Sequence, residues 1–291
     1  MDTGADARRV RINLERHAAK YATHRQLPLE FGRRLLEHLD GLRIQPARVL
    51  CLGSGPALLR EDLTRLFPAA QLLFSDAAPM LLTQIAPASR LQRLLGARAP
   101  LCFAGRPEAL PLPNASVDLV VSLATLPSSD AARSFAEARR VLSRDGLLLF
   151  STLGPDTLRE WRRGLLAADL QQRDPTGRSV PRFPDMHDLA DAASAAGLSS
   201  PVVDMEYLTV HYPDIGTLLA DLRVVGGGNG LLARPRGLMT PRAQDRLMTA
   251  LEAQRQPQGL PLTLELIYGH AWNTSPLVTE GGRPVIPIRS A

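Results

Sequence analysis

The feature that most constrains this chain is an alternation between residues 48 and 152, where short apolar runs are each followed by a helical pattern. RVLCL at 48–52, QLLFS at 71–75, LCFA at 101–104, VDLVVS at 117–122 and LLLFST at 147–152 are apolar at successive rather than alternate positions. Strands of that kind belong inside a sheet covered on both faces, and the amphipathic stretches at 58–67 and 129–142 supply covering helices. Right-handed crossovers then dictate a doubly wound α/β arrangement.

The flanks extend this core. Two helices are predicted near 8–20 and 27–40, with Leu35, Leu36 and Leu39 at helical spacing on the second. A further helix runs from Asp76 towards Leu95. Beyond Thr152 the pattern gives helices near 155–171 and 185–196, the latter closed by Gly197. Alternating stretches at 202–211 and 262–271 complete a seven-stranded, mostly parallel sheet. Helices near 214–224 and 240–256, joined by GGGNG at 226–230, form an insertion above the strand ends, where ligands bind in open α/β sheets. The chain thus reads as a single domain: N-terminal helices at 1–45, a cofactor-binding core at 46–152, the rest of the sheet with a helical lid at 153–273, and a tail at 274–291.

Composition narrows the classes. With 291 residues, 45% of them hydrophobic, the chain suits one large globular domain. No apolar run approaches the roughly 18–20 residues a membrane span needs. The opening MDTGADARRVRINLERHAAK is charged throughout and lacks the apolar core of a secretory signal, so a cytoplasmic location is expected. Cys51 and Cys102 each fall inside a predicted strand and are expected as buried free thiols. The net charge of +5 is nearly all arginine, since Lys20 is the sole lysine, and it is scattered. Without basic runs interleaved with aromatics, this is no nucleic-acid surface, but a basic face suits an acidic protein partner.

The chemistry-bearing constellation is strand, GSGPA at 53–57, helix, strand, then Asp76. Gly53 allows a tight turn, Gly55 lets backbone approach a ligand, and Asp76 lies 23 positions past Gly53, near the spacing at which an acid receives ribose hydroxyls. A plain βα turn with a helix-capping aspartate is the structural alternative. No Gly-Lys-Ser or Gly-Lys-Thr follows to hold a triphosphate. Ala57 replaces the third glycine of a dinucleotide loop, and Pro56 has no N–H to offer an anion. A cationic, phosphate-free nucleoside such as S-adenosylmethionine suits this loop. His17, His187 and His270 lack metal-ligand spacing.

GSG at 53–55, SD at 75–76, EALPLP at 108–113, SVDLVVS at 116–122 and RVLSRDG at 140–146 resemble the class I S-adenosylmethionine-dependent methyltransferases. RHAAKY at 16–21, STLGPDTLRE at 151–160, FPDMHDLAD at 183–191, PVVDME at 201–206, DLR at 221–223 and IYGHAW at 267–272 are more specific. Together they resemble the malonyl-acyl-carrier-protein O-methyltransferase family of biotin synthesis, over nearly the whole chain.

The resemblance implies a Rossmann-like sheet and S-adenosylmethionine contacts at Gly53, Ser54, Gly55, Asp76, Ala77, Met80, Arg106, Pro107 and Leu123. It also implies an acidic acyl-carrier protein as the bearer of the substrate carboxylate. Tyr21 is expected to close over the cofactor, and Arg159 and Arg223 are candidates to receive the carboxylate. Each of these three has a structural alternative, core packing for Tyr21 and a surface ion pair for the arginines. The chain departs from the family pattern at Cys51, Ser54, Ala57, Arg106 and Leu123. Arg106 matters most, because a guanidinium only donates where an acid would accept from the adenine amino group. Two other readings fit the same residues: a methyltransferase fold that binds a protein partner without turnover, and a relative with arginine-hydroxylase-like chemistry.

Overall fold

The computed structural model describes residues 6–21, 24, 26–53, 58–83, 85, 99–168, 182–224 and 239–274. Seven strands run β1 (Arg48–Leu52), β2 (Gln71–Asp76), β3 (Leu101–Ala104), β4 (Val117–Leu123), β5 (Leu142–Leu153), β6 (Ser199–Tyr212) and β7 (Leu260–Trp272). They form one sheet in the order β3-β2-β1-β4-β5-β7-β6. The first five are parallel, and β7 runs antiparallel to both β5 and β6. The expected doubly wound, seven-stranded, mostly parallel sheet is present.

The unbroken apolar runs are explained by two cores. Val49 and Cys51 of β1, with Phe74, Val121 and Leu149, face helices α2 (Gln26–Glu37) and α3 (Arg60–Leu66). Leu50 and Leu52, with Val120, Leu148 and Phe150, face α5 (Ala131–Val141) and α7 (Met186–Ala195). Successive strand residues point to opposite faces, so both parities must be apolar. Asp130 and Asp185 cap these two helices, accepting from the amides of Arg133 and His187 at 2.9 and 2.7 Å.

The remaining helices gather around the strand ends: α1 (Ala7–Tyr21), α4 (Pro79–Leu82), α6 (Arg159–Ala167), α8 (Ile215–Val224) and α9 (Pro241–Glu252). Ala18 and Tyr21 of α1 pack on Ala78 and Leu81. Leu247 and Leu251 of α9 pack with Ala168 and Trp161 beside α6.

Two expectations need correction. Strand β5 begins at Leu142 rather than 147, because Leu142 already pairs with Val117 of β4 and the polar residues 143–146, with Asp145 at φ +61°, form a bulge before pairing resumes at Leu119–Leu147. Cys102 is exposed, because β3 is the edge strand and three of its four residues face outward. The Arg162 guanidinium donates to the carbonyls of Pro155 and Thr157 at 2.8 and 2.6 Å. The expected helix reach to Leu95, the 226–230 linker and the tail beyond Thr274 lie outside the described residues.

Candidate active site

Parallel pairing of Leu52 with Ser75 places the exit of β1 beside the exit of β2. The Gly53 amide donates to the Ser75 carbonyl at 3.1 Å. Gly53 sits at φ +106°, and a Cβ there would run into the Leu123 carbonyl and come within 2.7 Å of Thr125 Cγ2. Only glycine satisfies both the left-handed turn and that close approach. Ser54 and Gly55, with Pro56 and Ala57, lie outside the described residues.

Asp76 ends β2 with its side chain buried. One carboxylate oxygen accepts from the Ala78 amide at 2.7 Å, while Oδ2 is buried and has no hydrogen-bond partner. Burial pushes the carboxyl up to about 7, against the opposing pull of the Ala78 amide. The Ser75 hydroxyl is likewise buried and unpartnered. Buried polar atoms are seldom left unsatisfied, and those at a cavity wall call for a ligand's donors.

The two strand ends open into one cavity of about 850 Å³. Gly53, Asp76, Ala77, Arg106, Pro107 and Leu123 all lie on its wall, as do Tyr21 and Arg223. Trp161, Leu165, Leu219, Leu247, Leu262 and Leu264 make much of the remainder apolar. The hollow is therefore shared by the glycine turn and the carboxylate, and side chains do not fill it.

The Arg106 side chain is 58% exposed and pairs with Glu108 at 3.3 Å, so on the wall it stands at the solvent edge, tied to a neighbouring acid. Met80 is not brought to the wall, since α4 leaves it 52% exposed. Nor is Arg159, which pairs with Glu160 at 3.1 Å and lies 5.8 Å from the Tyr207 ring centroid.

Sequence reasoning missed several wall residues. Thr125 accepts at its carbonyl from the Ser128 and Ser129 hydroxyls and shares a 2.6 Å hydrogen bond with Ser122. Trp161 gave a signal, as an aromatic on an otherwise charged helical stretch. His24 Nε2 lies 3.5 Å from Asp221, joining the segment after α1 to helix α8.

Two buried carboxylates brace the loop that carries Thr157 and Leu158 on the wall. Glu160 accepts from the Thr263 amide and hydroxyl at 2.9 and 2.7 Å, and Glu265 accepts from the Asp156 amide at 2.6 Å. They hold Leu158 at φ +61°, a conformation costing a non-glycine residue about 1–2 kcal/mol.

Comparisons with known proteins agree with this geometry. The family described as Methyltransferase domain matches residues 50–150. The YcgJ protein of Bacillus subtilis has a similar fold, with a TM-score of 0.54 at 18% identity, over 84% of this chain and 98% of that one. The chain is 40% identical to the malonyl-[acyl-carrier protein] O-methyltransferase of Gallionella capsiferriformans, over 97% of its own length and 96% of that relative's. It is 39% identical to the enzyme of the same name from Laribacter hongkongensis, over 92% and 89% of the two chains. A strand-end cavity with an unsatisfied acid and near-full-length likeness of this degree place the chain in the malonyl-[acyl-carrier protein] O-methyltransferase family.

Proposed function

We propose that this protein, acting as a single domain, transfers a methyl group from S-adenosylmethionine to the free carboxylate of a malonyl thioester on an acyl-carrier protein. The observation that carries the reading is the shared cavity of Gly53 and Asp76, with one Asp76 oxygen buried and unsatisfied. In this reading Asp76 receives the ribose hydroxyls, the Gly53 turn lets the ligand approach backbone, and Ala77, Pro107 and Leu123 flank the nucleoside. Ser54 and Gly55 belong to the same proposed set of ligand contacts.

When bound, S-adenosylmethionine supplies an electrophilic methyl group on a sulfonium. The acceptor carboxylate is already ionised at neutral pH, so the protein's task is to orient it and exclude water rather than to remove a proton. Arg223 is the wall residue suited to hold a carboxylate. Tyr21, packed between α1 and α4, closes the cavity from the N-terminal side. Among the described residues, no helix is long and apolar enough to cross a membrane. We place the enzyme in the cytoplasm, as the site of the precursor chemistry.

The test is incubation of purified protein with S-adenosylmethionine and malonyl-carrier protein, read by intact mass. A carrier heavier by one methylene, with the ester removed by an esterase, supports the reading. Tight binding of S-adenosylhomocysteine without methyl transfer to this acceptor overturns it.

A further inference from the structure

The mouth of the cavity is lined by arginine. Of the described residues on its wall, those that are exposed are Arg8, Arg11, Arg106, Arg223 and Met239. The carboxylates of the same wall are withdrawn. Asp76 is buried, Glu108 is held by Arg106, and Asp221 faces His24. Arg11 meets Glu15 at 3.8 Å, an exposed pair at a separation where attraction is weak. Arg8 and Arg11 stand three apart on α1 and so share a helical face. Helix α1 packs against α8, which carries Arg223 in its last turn. Two helices thus present one cationic rim around an apolar-walled opening.

Such an opening fits a ligand with an anionic body and a slender, largely uncharged arm. The geometry points to the α1–α8 rim, through Arg8, Arg11 and Arg223, as the docking surface for an acidic carrier protein whose tethered thioester reaches into the cavity. This inference rests on the proposed function and names the surface by which that substrate is held. Rim charges of this kind speed and orient encounter, and their effect fades as salt screens them. The contribution of Arg8 and Arg11 therefore belongs in KM for the carrier-borne substrate and not in kcat, whereas Arg223 also holds the acceptor carboxylate.

The test uses an Arg8→Glu/Arg11→Glu double variant of the full chain and fluorescently labelled carrier protein bearing its arm but no malonyl group. Anisotropy titration is expected to show affinity at low salt weakened about tenfold or more, with the gap narrowing at high salt. KM for malonyl-carrier protein rises in step. Turnover of malonyl-N-acetylcysteamine, a small thioester that keeps the acceptor carboxylate but has no carrier, stays within about twofold of the parent. An Arg8→Gln/Arg11→Gln pair gives an intermediate loss and guards against misfolding of the reversed variant. Arg163→Glu/Arg246→Glu, an equal charge change at exposed sites elsewhere, leaves carrier affinity unchanged.

Carrier affinity that survives the α1 reversal, an equal loss in the off-wall control, or single-stranded DNA binding tighter than carrier binding each overturns the inference. Absence of methyl transfer to both thioesters sinks the functional reading instead, since the anisotropy measurement reports docking without chemistry.

Discussion

Gly53 and Leu123 meet backbone to backbone: the left-handed turn leaving β1 sets the Gly53 α-carbon against the Leu123 carbonyl at the end of β4. A methyl group has nowhere to go. Gly53→Ala therefore combines an unfavourable φ with a clash against main chain. S-adenosylhomocysteine affinity is expected to fall more than about tenfold by calorimetry, and thermal unfolding shifts down by several degrees.

Asp76 gives a pH signature. With its carboxyl raised to about 7, the ligand-free folded protein retains a proton that the unfolded chain releases above 3.8. Stability of the ligand-free protein therefore declines as pH climbs from about 4 to 7 and is not recovered above. Ribose hydroxyls need an ionised acceptor, so S-adenosylhomocysteine affinity rises over pH 6 to 8. Asp76→Asn keeps an acceptor for the Ala78 amide but cannot ionise. It is expected to raise the Tm of the ligand-free protein at pH 8, weaken ligand binding about tenfold or more, and flatten its pH dependence.

Arg106 tests how far a departure from the family pattern reaches. Because its guanidinium is exposed and tied to Glu108, Arg106→Ala is expected to change S-adenosylhomocysteine affinity by less than about threefold. A large gain in affinity would show that the arginine enters the adenine side of the cavity.

Glu160 anchors α6 to β7. Burial pushes its carboxyl up, but the Thr263 hydroxyl and amide donors outweigh that and hold it below the ordinary carboxylate range. Its contribution is present above the ordinary value of 4.5 and is lost as pH falls through the lowered one. Glu160→Ala strands the Thr263 amide and costs about 1–3 kcal/mol, read by urea unfolding at pH 7. Glu160→Gln shifts the acid-unfolding midpoint to higher pH.

The two thiols differ in reactivity. Cys51 is buried, which pushes its thiol up to about 12, with Asp76 adding to the effect. Cys102 is exposed on the edge strand. Iodoacetamide on the native protein is expected to give one adduct, at Cys102, and two adducts in denaturant.

Much of the architecture was legible because its signals are local. Apolar runs at 48–52 and 117–122 match β1 and β4 to within a residue, since burial on both faces leaves no polar position to blur the pattern. A boundary failed where a strand's first pair lies before a bulge of polar residues, as at the start of β5, and a burial expectation failed where a strand lay at the edge, as with Cys102. In the candidate site, Gly53 and Asp76 were readable from spacing alone, because a strand–turn–helix–strand unit fixes their separation along the chain. Met80 and Arg159 were not, because their orientation is set by helix rotation and by partners such as Glu160 and Tyr207 that are distant in sequence or otherwise invisible to a motif.

The sequence by itself determined the order of elements, the two-faced burial of the strands and the pairing of a glycine turn with an acid, since each follows from periodicity and spacing within a few dozen residues. Tertiary structure alone decided that Asp76 keeps an unsatisfied oxygen and that Arg8, Arg11 and Arg223 line one cavity. Those facts depend on which segments, up to about two hundred positions apart, are packed around the same cavity, and only the packed chain sets that.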